Sequence, residues 1–123
     1  MTTDAGVDLV AFSAASQRAI TIQVKANDAP KPGGGKGKLA LDWWISGDCP
    51  SERAAFVDVS TDRAWLLSKT ELAALAQQHS SGRYHFYMDV DPAVRPRGAK
   101  LAMQDDFNDH LVERKAQILV GAR

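Results

Sequence analysis

The sequence is short of several things, and each shortage closes off a class of explanation. It has a single cysteine, Cys49, among 123 residues, so no intrachain disulfide framework can hold it. One unpaired thiol suits a reducing compartment, the cytoplasm. No apolar run approaches the ~20 residues that a membrane-spanning helix needs. The opening MTTDAGVD has neither the basic nor the apolar stretch of a secretory signal. Net charge is absent too: 15 Lys+Arg balance 15 Asp+Glu, which argues against a histone-like binder of bulk polyanion. What is present is ordinary for a soluble domain, 45% apolar and 24% charged residues. A chain of this size folds as one compact domain, here residues 1–123, burying roughly two thirds of its unfolded surface.

Along the chain, Val7 to Phe12 is a short apolar run with the character of a buried strand. Arg18 to Ala26 alternates cleanly: Ile20, Ile22 and Val24 form one face, and Thr21, Gln23 and Lys25 the other. The two segments are expected to pair as an antiparallel hairpin, with the isoleucine face toward the core. Asn27 to Lys38 contains four Gly, two Pro and three Lys. It cannot offset its ordering entropy by burial, and is expected to be a mobile loop. Leu39 to Ser46, Ala54 to Ser60 and Arg63 to Leu67 resume apolar character. Ser68 and Glu71 have the spacing of a capping box, so a helix is expected over 68–79. Arg83 to Val90 alternates again, with Tyr84, Phe86, Met88 and Val90 facing inward. A Pro-rich basic loop occupies 91–104, and a second helix is expected over 105–120, with acids first and bases later as the helix dipole prefers. Strands, helix, strand, helix implies an α/β or α+β domain around a mixed sheet.

The residues best able to carry chemistry lie in the front hairpin. Asp8 begins one strand; Gln23 and Lys25, two apart, share a face of its neighbour. A carboxylate beside Gln-x-Lys can hold a divalent cation through the Asp8 carboxylate, the Gln23 carbonyl and a backbone carbonyl such as that of Val24. Lys25 can then stabilise developing phosphorane charge. The same three residues are also ordinary content for the outer face of a half-buried sheet. The glycine-rich loop is not a nucleotide cradle, because its Gly-to-Gly interval is short of the P-loop pattern and Leu39 stands where a hydroxyl is needed. Lys31, Lys36 and Lys38 instead form a cationic arm able to track a phosphate backbone, and Arg95 and Arg97 a second basic loop. Of the adjacent Trp43 and Trp44, one is expected in the core and the other outside, as an interface anchor. His79, His85 and His110 show no metal-ligand spacing.

The strings DAGVDLVAF and ITIQVK, followed by Trp43-Trp44, FVDV at Phe56 to Val59, a short strand at Trp65 to Leu67 and a helix from Ser68, resemble the PD-(D/E)XK, or restriction-endonuclease-like, nuclease superfamily. The likeness is to a branch of small bacterial proteins whose central motif is QVK, and it runs from about Asp4 to Val90. It implies a mixed β-sheet flanked by helices and a Mg²⁺- or Mn²⁺-dependent endonuclease site for DNA, with RNA as the alternative substrate. On this reading Asp8 and Gln23 are the metal ligands, with Gln23 in place of the second acid, and Lys25 is the catalytic lysine. It also implies a helix ahead of the Asp strand; only seven residues precede Asp8, so a fold lacking that helix is expected. A homodimer follows as an expectation, since two sites cut two strands. The alternative is a non-catalytic relative that binds DNA or another protein.

Overall fold

The computed structural model describes residues 8–13, 17–33, 38–91 and 101–115. They form two four-stranded sheets, a short α-helix and, at 112–115, a further helical stretch. The first sheet holds β1 (Leu9–Ser13), β2 (Arg18–Asn27), β5 (Arg53–Asp58) and β6 (Arg63–Ser68), in the order β1-β2-β5-β6. The second holds β3 (Lys31–Gly33), β4 (Lys38–Ser46), β7 (Gln78–Ser80) and β8 (Arg83–Asp89), in the order β3-β4-β8-β7. The expected hairpin is present: β1 and β2 pair antiparallel, with Leu9 opposite Ile22 and Ser13 opposite Arg18. β2 and β5 are parallel, which makes the first sheet mixed. Parallel neighbours need a long crossover, and here the β3–β4 hairpin supplies it.

That hairpin corrects the expectation of a loop over 27–38. Lys31 to Gly33 pair with Lys38 to Ala40, because strand pairing satisfies the backbone even where side chains bury little. Lys31 is an exposed strand residue; Lys36, Arg95 and Arg97 lie outside the described residues. Lys38 begins β4.

The core is the seam between the sheets. Leu41, Trp43 and Ile45 of β4 and Phe86 and Met88 of β8 meet Ala54 and Phe56 of β5 and Trp65 and Leu67 of β6. Trp43 stacks on Phe56 with ring centroids 5.0 Å apart, and Phe56 meets Phe86 at 5.1 Å. As expected, the two adjacent tryptophans part: Trp43 is buried and Trp44 stands on the outer face of the second sheet.

The helix α1 (Lys69–Leu75) begins at the capping box: Glu71 N–H donates to the Ser68 hydroxyl, and the Ser68 N–H to the Glu71 carboxylate. It ends before the expected His79. Gln77 bonds both backbone groups of Tyr87, and residues 78–80 turn into β7. Ser81 and Gly82, both with positive φ, form a two-residue turn into β8 of the kind that suits the twist of a hairpin. The expected 105–120 helix is corrected over its first part only, since residues 112–115 are α-helical. Gln104–His110 is a 3₁₀ helix that buries Phe107, Leu111 then bridges to Trp65, and residues 116–123 lie outside the described set.

Candidate active site at the edge of the first sheet

The register decides which side chains share a face. Leu9 opposes Ile22, and just ahead of β1 the Asp8 N–H donates to the same Ile22 carbonyl at 2.9 Å, one residue out of the ladder's register. On the other side of β2, Gln23 pairs with Ala54 and Lys25 with Phe56. Gln23 and Lys25 therefore share the sheet face that carries Ala54 and Phe56, which is turned toward the second sheet, and Asp8 lies beside them at the β1 edge of β2.

The expected sidedness holds at Ile20, which is buried, and reverses further along the strand. Ile22 and Val24 are half-buried, whereas Gln23 is only 5% exposed. Alternation places residues on opposite faces but does not say which face the next layer covers. Here the second sheet covers the Gln23 side.

Burial falls steeply across the group. Gln23 lies under the 47–50 turn, where the buried Cys49 thiol donates to its Oε1 at 2.7 Å. Lys25 is half-buried and Asp8 is exposed. The Asp8 carboxylate accepts the Val24 N–H at 2.8 Å. This bond occupies a backbone donor left open where β1 begins, and it bends the carboxylate along β2 toward Lys25. The N–H and C=O of one strand residue point to the same edge, so the Val24 carbonyl opens beside the same carboxylate. Past Lys25, the Asn27 Oδ1 accepts the Asp42 N–H at 2.8 Å and ties β2 to β4. At the other end of β2, the Thr21 hydroxyl accepts the Glu52 N–H at 2.9 Å, and Glu52 pairs with Arg18 at 3.2 Å.

The oxygens that this stretch can offer a metal are hard ones: the Asp8 carboxylate, the Gln23 carboxamide and the Val24 carbonyl. That set suits Mg²⁺, which retains several waters and completes its octahedron with them and with substrate phosphate. Among the described residues, no three acidic, histidine or cysteine side chains cluster as an alternative metal site.

Sequence reasoning missed two parts of the neighbourhood. Cys49 enters the sequence reading only as an unpaired thiol, yet it donates to the Gln23 carboxamide. Asn27 was counted as the start of a loop, yet it ends β2 and joins the sheets. Nothing local signals either, since both partners are distant in sequence.

No family model matches the chain, and no curated protein matches it. Among solved structures, the fold is similar to that of a bacterial homing endonuclease, I-Ssp6803I. The TM-score is 0.50 at 12% sequence identity, over 95% of this chain and 74% of the other. At that identity the likeness concerns the fold, which is nuclease-like. No helix among the described residues is long and apolar enough to cross a membrane.

Proposed function

We propose that this protein is a metal-dependent endonuclease of PD-(D/E)XK type that hydrolyses DNA phosphodiester bonds. Asp8 and Gln23 hold the metal and Lys25 lies at the scissile phosphate. One observation carries the reading: the Asp8 carboxylate meets β2 at the Val24 N–H, between Gln23 and Lys25, where burial gives way from the enclosed Gln23 to the exposed Asp8. The nuclease-like fold supports it.

A bound Mg²⁺ or Mn²⁺ would polarise the phosphate and lower the pKa of an attacking water. The chain's own contribution is positional. Asp8, pinned by the Val24 N–H, presents a carboxylate without needing to reorder. Gln23, pinned by Cys49, brings a neutral carboxamide oxygen in place of a second carboxylate. Lys25 supplies positive charge where the pentacovalent phosphorus builds negative charge. Lys31, Lys36 and Lys38, with Arg95 and Arg97, contact backbone phosphates on either side. The protein works in the cytoplasm as a homodimer, one site to each strand.

A specific observation favours a second reading, a non-catalytic nuclease-fold protein that binds DNA or another protein. Asp8 and Gln23 each have a structural hydrogen bond that would justify them without catalysis.

Plasmid nicking with Mg²⁺ or Mn²⁺ separates the two. Asp8→Asn keeps an acceptor for the Val24 N–H and removes the charge. It should leave the thermal midpoint nearly unchanged and abolish nicking. Lys25→Met should cut the rate by roughly 10²–10³, the usual cost of removing one transition-state donor. Undiminished nicking by both variants, or none by the wild type at high enzyme, sinks the catalytic assignment.

A further inference from the structure

The outer face of the second sheet carries a feature that cleavage does not require. Ala40, Asp42 and Trp44 of β4 lie opposite Asp89, Tyr87 and His85 of β8, with Lys31 of β3 beside Ala40. Small Ala40 between larger neighbours leaves a hollow of about 530 Å³, walled by Lys31, Pro32, Asp42, His85, Tyr87 and Asp89. That volume lies within the ~300–1,000 Å³ range of small-molecule sites.

The wall is fixed in place. The His85 ring lies parallel to Trp44, with centroids 4.3 Å apart and an interplanar angle of 4°. Its Nδ1 is 3.0 Å from Gln78 Oε1 and its Nε2 is 3.2 Å from the Asp42 carboxylate. The Arg83 guanidinium stands over Trp44 at 5.0 Å, and Tyr87 leans against His85 at 5.7 Å. A preordered wall loses little side-chain entropy when a flat ligand settles on it. A second hollow, of about 200 Å³, shares Lys31, Ala40 and Asp42 with the first and reaches Asn27 and Asp28. The two make one trough from the end of β2, two residues past Lys25, to Tyr87.

We propose that this trough seats an unpaired nucleotide of single-stranded DNA, its base against Tyr87 and its phosphate at Lys31. The lining sets one cation, Lys31, against the Asp28, Asp42 and Asp89 carboxylates, so recognition falls mainly on the base. Aromatic walls take a flat ring, the cation at the rim takes a phosphate, and the Asp42 and Asp89 carboxylates accept from exocyclic amino groups. Cytosine and adenine carry such a group; thymine presents carbonyl oxygens on that edge and is disfavoured. The proposal rests on nucleic acid being the ligand, as in the reading above, but not on cleavage.

The test uses the whole chain in EDTA and fluorescence anisotropy with labelled 12-mers of dC, dA and dT. The dC and dA oligonucleotides should bind more tightly than dT by roughly five- to hundredfold. Tyr87→Ala should weaken dC binding by roughly 5- to 100-fold, the loss of one stacked base, and Tyr87→Phe should restore most of it. Ala40→Leu, which fills the hollow from a half-exposed position, should act like Tyr87→Ala and serves if that variant fails to fold. Equal affinity for the three homopolymers overturns the proposal, as does dC binding that both variants leave intact. Preference for an oligo-arginine peptide over any oligonucleotide also overturns it. Binding through this trough without plasmid nicking would retain the proposal and discard the nuclease reading. Nicking with a trough that binds nothing would do the reverse.

Discussion

The seam between the sheets and the β1 flank are built from similar side chains and treat them in opposite ways. In the seam, Phe56, Trp65, Phe86 and Met88 are fully buried. On β1, Leu9 is 55%, Val10 61% and Phe12 63% exposed. One strand, β2, joins the two regions, and the candidate active site lies across the boundary, with Gln23 on the seam side and Asp8 on the flank. A hydrolytic site needs this combination. Its ligands must be held by packing, and its reacting atoms must be reachable by water and a large substrate.

The contrast predicts a large asymmetry in stability. Phe56→Ala, which removes the ring stacked between Trp43 and Phe86, should cost about 3–5 kcal/mol in urea denaturation. Phe12→Ser should change stability by less than about 0.5 kcal/mol in dilute protein. Comparable losses for the two would show that the flank is covered. A Phe12→Ser loss that grows with protein concentration would show that two copies of the chain associate through this flank.

A smaller effect tests the turn from β6 into α1. Ser68 and Glu71 close the capping box, and Lys115 donates to Glu71 at 2.6 Å and to the Leu66 carbonyl at 3.1 Å. Ser68→Ala should cost about 1 kcal/mol. It should leave nicking and oligonucleotide binding intact, because α1 touches neither site. A loss of activity without unfolding would mean that the helix helps to position the site after all.

The parts of this architecture that were legible in the sequence are those decided locally. Alternation in Arg18 to Ala26 marks β2, the Ser68–Glu71 spacing marks the start of α1, and the neighbouring Trp43 and Trp44 must point apart. Gln23 and Lys25 could be placed on one face because a strand has period two. What stayed hidden depends on distant partners. β3 lies in a Gly-, Pro- and Lys-rich stretch that pairs only because β4 returns beside it. β7 replaces the end of an expected helix because β8 offers it a ladder. Which face of β2 is buried depended on a whole second sheet. The grip of Cys49 on Gln23 spans 26 residues, and no local pattern encodes it.

The smallest expected effect lies in the cluster that braces α1 against the 3₁₀ helix, where His110 sits 3.6 Å from Glu71. Burial, and then the positive charge of Lys115, lower the His110 pKa from its ordinary 6.5, against the opposing pull of Glu71 and Asp109. For Glu71, burial acts to raise the pKa, but the hydrogen bonds from Lys115 and the Ser68 N–H and the charges of Lys115 and His110 outweigh it. Its carboxyl lies below its ordinary 4.5. Both shifts mean that the unfolded chain binds protons before the folded one, so stability falls on acidification in two windows. The first opens as pH drops below about 6.5, where His110 protonates in the unfolded chain while the folded protein resists. The second opens below about 4.5, where Glu71 follows. Urea midpoints measured from pH 7.5 to 3.5 should show the wild type declining through both. His110→Gln should flatten the upper window alone, leaving the decline set by Glu71, and an unchanged upper slope in that variant would remove His110 from the account.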